Sequence, residues 1–380
     1  MAAYHQMGHD SWNLVGEDAL RSFSGLVLSP VNSGPKTVIE RLKSVRDGLD
    51  IVLDPHFYKP TSDRGCLPEW AHFSDALDTT DIGDGRWWHE RCEQLAIEAA
   101  RIGATSIASP SIIPRTFDAA YYDWAVNCAE MLDGIVGQER MSVLITGIVR
   151  VSEIGQPGAA ERIASLLTRT SLQRVYLVLY DDIPPRTQRT DSGALAGAMR
   201  LISAIEEAGS RTLVAFAGLD MLLWKAAGAT HVATGKFFNV RRFVPGRFDE
   251  PLEGGRQLPY WTHDDYITWM REDDVRLLLR IGLFNREHAI ANPYSRQILE
   301  ILDSNSGAAW VGLGWRQYMY WFAQQEAEIA AGRSNVRDIL VLADRKWSEL
   351  ETSGALLFDR INNGEWVRAW LNALLLAQRG

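Results

Sequence analysis

The segment Asp54-Pro55-His56-Phe57-Tyr58 places a carboxylate, an imidazole and a phenol within five residues. Side chains of an extended segment alternate with period two, so Asp54 and His56 share a side unless Pro55 already begins a turn. Held together they could serve as base and acid, or as two ligands of a metal. The plainer reading has Asp54 accepting backbone N–H bonds at a turn, with His56 an ordinary hydrogen-bonded ring. A second acidic group, Asp181-Asp182, follows an apolar run. With Asp54 it would supply two carboxylates for acid/base or nucleophile/acid roles, or for a divalent cation such as Mg bridging a phosphate. Otherwise one aspartate caps a helix and the other is solvated.

The stretch Ala233 to Arg242 carries Gly235, then Lys236, Arg241 and Arg242. A glycine for close backbone approach and three cations within seven residues suit an anion, with Lys236 as point charge and an arginine as fork. The spacing is not that of a Walker loop. Against an anion site, the arginines could pair with Asp249, Glu250 or Asp264-Asp265. Lys236 would form a Schiff base only if its amine were buried in the interior of the fold. Cys66, Cys92 and Cys128 are too far apart for a CxxC zinc pair, and no disulfide framework is available, which suits a reducing, cytoplasmic setting.

These residues need elements to bring them together. Short apolar runs at Leu26–Val31, Asp50–Leu53, Thr105–Ala108, Ser142–Ile148, Val175–Tyr180, Thr212–Phe216 and Thr230–Ala233 alternate with helical patterns. That alternation marks βαβ units and a parallel sheet. An eighth, weaker run is Gln257–Trp261, followed by Thr262 as a cap and a helix to about Arg280. Helices are expected after Gly34-Pro35, from about Arg86 to Ile102, after Thr116 and after Asp220. A polar loop over roughly residues 59–84 is long enough to serve as a lid or a stacking wall.

Eight strands separated by helices within about 280 residues resemble the TIM-barrel superfamily in periodicity. The expected fold class is α/β, a (β/α)8 barrel with a helical C-terminal extension. Residues 1–284 would form the barrel with an N-terminal helix, and 285–380 the extension. The resemblance implies a functional face at the C-terminal ends of the strands. That selects Asn32 and Ser33; Asp54, His56 and Tyr58; Ser109 and Ser111; Thr146 and Arg150; Asp181 and Asp182; Lys236; and Tyr260. Asp54, His56, Asp181 and Asp182 would be catalytic. Asn32, Tyr58, Ser109, Lys236, Arg241, Arg242 and Tyr260 would bind substrate.

Beyond Phe284 the strand pattern stops. Trp315, Tyr318, Met319 and Phe322 line one helical face; Val336, Ile339, Leu340, Ala343 and Trp347 another; Trp366, Trp370 and Leu374 a third. They dock the tail on the barrel, or they form a homo-oligomer or protein-partner surface within 310–380. The chain carries 39 basic and 48 acidic residues, a net −9, so any nucleic-acid contact would be through a local patch. No run approaches the length of a membrane span. These features point to an enzyme acting on a phosphorylated, nucleotide-like or sugar-type small molecule by glycosyl or base transfer or hydrolysis. The rival is a non-catalytic barrel subunit or binding platform.

Overall fold

The computed structural model describes residues 3–45, 47–73, 83–137, 141–249 and 257–378. Eight parallel strands close into a ring: β1 (Ala3–Gln6), β2 (Gly25–Leu28), β3 (Asp50–Leu53), β4 (Ser106–Ala108), β5 (Ser142–Arg150), β6 (Arg174–Tyr180), β7 (Arg211–Ala215) and β8 (His231–Thr234). The chain is therefore a (β/α)8 barrel of the TIM type. Strands such as Val175 to Leu179 are apolar without alternation because helices cover one face and packed side chains the other.

The ring is closed by a strand that the sequence pattern hides. Tyr4 pairs with Ala233 on one side and with Gly25 on the other. Residues 3–6 were expected to precede the barrel as part of a helical lead-in. Four residues ending in Tyr-His-Gln are too few and too polar to display a strand period. The run Gln257–Trp261, expected to close the barrel, stays outside it. Trp261–His263 (β9) pairs antiparallel with Thr268–Met270 (β10), and Thr262 lies in that hairpin rather than capping a helix.

The helices between strands are α1 (Pro35–Leu42), α2 (Gly85–Ile102), α3 (Ala119–Val136), α4 (Ala159–Leu167), α5 (Ser192–Glu207) and α6 (Met221–Ala226). Their ends follow from local chemistry. Asp84 accepts from Arg86 N at the start of α2, and Gly103 ends that helix at φ +76°. Asp118, not Thr116, caps α3 through Tyr121 N, and Asp191 caps α5 through Ala194 N. Only two 3₁₀ turns, Ser11–Asn13 and Asp18–Leu20, join β1 to β2.

After β10 come α7 (Glu272–Arg280), α8 (Arg286–Ala289), α9 (Pro293–Ser304), α10 (Val311–Ala330), α11 (Val336–Thr352) and α12 (Glu365–Ala377). Of these, α10 lies along β1, α6 and the 18–20 turn, and so covers the seam between the last and first strands. Its Tyr318 hydroxyl is 2.7 Å from Thr234 Oγ1, and its Phe322 ring stacks on Phe23. A division at residue 284 therefore cuts through packed structure: the tail supplies part of the barrel's outer layer. Helix α12 packs on α5, with Trp370 wholly buried and its Nε1 donating to Arg189 O at 2.9 Å.

The N-terminal end of the barrel is riveted by charge. Asp50 accepts from Tyr4 OH at 2.9 Å, Arg174 Nη2 at 2.6 Å and Ser106 Oγ at 2.6 Å, joining β1, β3, β4 and β6. This end is built for stability, which leaves the opposite rim as the place to look for chemistry.

Trp370→Ala should cost about 3–5 kcal/mol in urea unfolding, through the cavity left under α12. Trp370→Phe, which keeps most of the volume and loses the indole donor, should cost about 1 kcal/mol.

Candidate active site

Alternation along the strands decides which side chains enter the bore. Asp50 points inward to Arg174 and Tyr4, so Val52 and Asp54 do as well. The same rule turns Gln6 of β1 and Tyr176 of β6 inward. Asp54 is 1% exposed and is fully engaged. Its Oδ2 accepts from Tyr58 OH at 2.8 Å and Tyr176 OH at 3.0 Å, and its Oδ1 accepts from His56 N at 3.1 Å. The Tyr176 hydroxyl is also 3.3 Å from Gln6 Oε1. Burial pushes the Asp54 carboxyl up to about 6, against the three hydrogen bonds and the charge of Arg247, all of which pull it down.

His56 sits at φ +61°, a left-handed conformation uncommon outside glycine. The turn allows its N–H to reach the Asp54 carboxylate two residues back. Its ring, 0% exposed, lies edge-on to Phe248, with Nε2 3.6 Å from Asp54 Oδ2. Burial, and then the charge of Arg247, hold its pKa well below the ordinary value, so the imidazole is neutral near pH 7.

A cover closes the mouth. Phe243 packs on Tyr58, Phe216 and Phe248, and the 3₁₀ turn Pro245–Phe248 brings Arg247 over the bore. Arg247 Nη2 donates to Ser29 Oγ at 3.2 Å, and Asn32 Nδ2 donates to the same oxygen at 2.7 Å. The β3 loop ties the cover down. Ser62 Oγ donates to Phe248 O at 2.5 Å, Arg64 donates to Arg247 O, and Lys59 pairs with Asp249. The described part of that loop, expected as a lid, is itself packed, with Trp70, His72 and Phe73 buried against Phe57 and one another. Residues 74–82 lie outside the described residues.

Asp54, His56, Tyr58 and Asn32 thus gather in one network. The other expected residues do not join it. Asp182 is 74% exposed at its side chain and accepts from Tyr180 OH at 2.5 Å, with Arg150 at 3.7 Å. Asp181 is paired with Arg189, which also holds Asp220, while Arg242 lies 3.6 Å away. These charges lock the loops after β6, β7 and β8 together, so a catalytic Asp54–Asp181/Asp182 pair is not formed. Ser109 accepts from Thr146 N at 3.0 Å through its hydroxyl and from Thr146 Oγ1 at 2.6 Å through its carbonyl, splicing β4 to β5.

The cationic stretch is likewise not a phosphate cradle. Arg241 spends Nε and Nη2 on the carbonyls of Gly235 and Lys236 and lies 3.4 Å from the Tyr318 ring centre. A Cβ on Gly235 would stand 2.4 Å from Gln6 O, so that glycine serves the β8–β1 contact rather than the approach of a ligand. Lys236 follows Thr234 on the outer side of the wall, toward α10, where no Schiff base could face the bore. Tyr260 is there too, with Arg186 over its ring.

Gln6, Tyr176, Ser29 and Arg247 are the members that sequence reading missed. Tyr176 could have been found by carrying the inward alternation along Arg174–Tyr180. Gln6 was hidden with its strand, and nothing local marks Arg247. Among the described residues, no three histidine, cysteine, aspartate or glutamate side chains stand together as a metal site, and no helix is long and apolar enough to cross a membrane.

No protein-family model matches the chain. No curated protein matches either. Among solved structures, an aldolase, QR15, is 14% identical, with 63% of this chain and 92% of that one covered at a TM-score of 0.38. Dihydrodipicolinate synthase from Bacillus clausii is 12% identical over 100% of this chain and 97% of its own, also at 0.38. The synthase from Oceanobacillus iheyensis is 11% identical over 99% and 96%, at 0.36.

Proposed function

We propose that the chain is a barrel enzyme in which Asp54 moves a proton on a small polar substrate bearing one anionic group, a phosphorylated or sugar-type acid. The observation that carries this reading is a buried carboxyl, raised by burial to about 6, set among buried polar atoms without partners. Both ring nitrogens of His56, Nε2 of Gln6 and Nη1 of Arg247 are buried with no hydrogen-bond partner among the described residues. Buried polar groups left unpaired are costly, and a polar ligand would repay them.

The roles follow from charge and reach. Asp54, ionised at neutral pH but poised close to it, is the base. Tyr58 and Tyr176 aim the carboxylate and can return a proton through their hydroxyls. Arg247, which burial lowers to about 10, stays cationic and would meet the substrate's anion or the negative charge that develops on proton removal. Neutral His56 would hydrogen-bond a substrate oxygen. With Asp182 on the rim, hydrolysis or glycosyl transfer by two aspartates has less support than proton transfer at one.

The rival reading, a platform docking partners through residues 310–380, loses the side chains that suggested it. Tyr318, Phe322, Trp347, Trp366 and Trp370 are buried within the chain. A partner would have to use Leu356, Phe358 and Ile361, the exposed apolar residues between α11 and α12.

Hydrogen–deuterium exchange at activated C–H positions, followed by NMR across a panel of small hydroxy and keto acids and sugar phosphates in D2O, tests the reading. A substrate should exchange faster as pH rises through about 6, the range in which Asp54 ionises. Asp54→Asn should slow it by about 10²–10⁴, the usual worth of a positioned base; a variant as fast as the parent would overturn the assignment. Arg247→Gln should act mainly on KM if the arginine holds the anion.

Stability gives a ligand-free check. The folded pKa of Asp54 lies above its ordinary 3.8, so folding favours the protonated form. That contribution is complete below about pH 3 and is lost as pH rises through 6. The difference in unfolding free energy between parent and Asp54→Asn should therefore move by about 2 kcal/mol against the parent between pH 4 and pH 7, out of a full span set by about 1.4 kcal/mol per pH unit of separation. A flat difference would show that Asp54 is not held in a desolvated site.

A further inference from the structure

Lys236 lies on the outer side of the β8 end, and its surroundings are not those of a surface lysine. The residue as a whole is 4% exposed, while its Nζ keeps some contact with solvent and meets no hydrogen-bond acceptor or carboxylate among the described residues. Its Nζ instead sits 4.8 Å from the Phe237 ring centre and 4.6 Å from that of Trp315, over both faces. The ammonium borders a cavity of about 130 Å³ formed with Phe237, Phe238, Arg241, Tyr260 and Trp315. An ammonium at a cavity wall with ring faces but no acceptor beside it has given up part of its hydration, and the rings repay only part of that loss.

We propose that this cavity, between the β8 rim and α10, is a second binding site, for a one-ring aryl carboxylate. The cation calls for an anion. The rings call for a flat apolar body. The volume is close to that of a cavity known to hold a single benzene. A phosphate dianion fits less well, because it wants many donors around it and the walls here include the ring faces of Phe237 and Trp315. Arg241 already gives Nε and Nη2 to the Gly235 and Lys236 carbonyls. The charges that bear on Lys236 are Asp10 and Arg316, and both have partners: Asp10 with His9, and Arg316 with Glu17. Gly314, on the α10 wall, has no room for a side chain, since a Cβ there would come within 2.7 Å of Tyr260 O, so the helix approaches the Tyr260 segment closely. This site is separate from the Asp54 network: Lys236 faces α10 while Gly235 and Ala233 face the bore.

Isothermal titration of the full chain with benzoate, benzamide and inorganic phosphate tests the proposal. Benzoate should bind saturably with one site, at least tenfold more tightly than the neutral benzamide, and more tightly than phosphate. Lys236→Met should lose at least tenfold for benzoate while Asp54→Asn binds it as the parent does. Equal binding of benzoate and benzamide by the parent would overturn the site even if the methionine variant failed to fold. So would tighter binding of phosphate, absence of saturable benzoate binding, or loss of benzoate binding in Asp54→Asn. Because the Asp54 variant retains this site, failure here and failure of the proton-transfer reading are separately visible.

Discussion

The ladder between β1 and β8 governs the rest of the molecule. Ala3 to His5 pair with Val232 to Thr234, and with that pairing the ring has no edge and every residue of its wall has a side. A one-residue slip would turn Gln6 and Tyr4 outward and bring His5 into the bore. The glycine at 235 reports how close the fit is, since Gln6 O occupies the place where a Cβ would stand. From this one constraint come both proposed sites: Gln6, Asp54 and Tyr176 on the inside, Thr234 and Lys236 on the outside.

The sequence made the architecture readable wherever a strand was apolar for its whole length. Seven of the expected runs lie in the barrel because parallel strands buried on both faces read as short, mostly apolar runs. The eighth failed for the opposite reason: a short polar strand at the N-terminus takes its identity from its two neighbours, not from its own residues. The same division holds at the site. Asp54, His56 and Tyr58 were readable because they are contiguous at one strand end. Asp181 and Arg242 had the right types and positions, but charge pairing with Arg189 and Asp220 is a long-range matter that spacing does not reveal. Arg247 arrives from residues far along the chain, and its burial depends on a cover whose shape no local signal announces.

Those long-range charges also explain why the tail belongs to the barrel. Arg189 holds Asp181 and Asp220, donates to Leu179 O, and offers its own carbonyl to Trp370 of α12. Arg241 stacks on Tyr318 of α10, whose hydroxyl meets Thr234. Two buried arginines thus join the rim loops to two different C-terminal helices. Arg189 meets two carboxylates and a carbonyl, and Arg241 gives Nε and Nη2 to two carbonyls, the fixed acceptors a desolvated cation calls for. The aromatic faces that a sequence offers as partner surfaces are spent on this internal connection.

On the proposed reading, the cover sets how strong a base Asp54 is. The ties from Lys59, Ser62 and Arg64 are individually small, about 1 kcal/mol or less each for hydrogen bonds and half-exposed ion pairs. Burial of Phe243 and Phe248 is worth more, about 1.5–3 kcal/mol per ring. Closure is therefore mainly hydrophobic, with polar contacts setting the register. Lifting the cover would admit water and withdraw Arg247 together, and these act oppositely on Asp54. Water removes the desolvation that raises its pKa, while loss of the guanidinium removes a charge that lowers it. Desolvation is the larger of the two, so the open carboxylate falls back toward the ordinary range and weakens as a base. On the proposed reading, the strength needed for proton abstraction would be a property of the closed barrel.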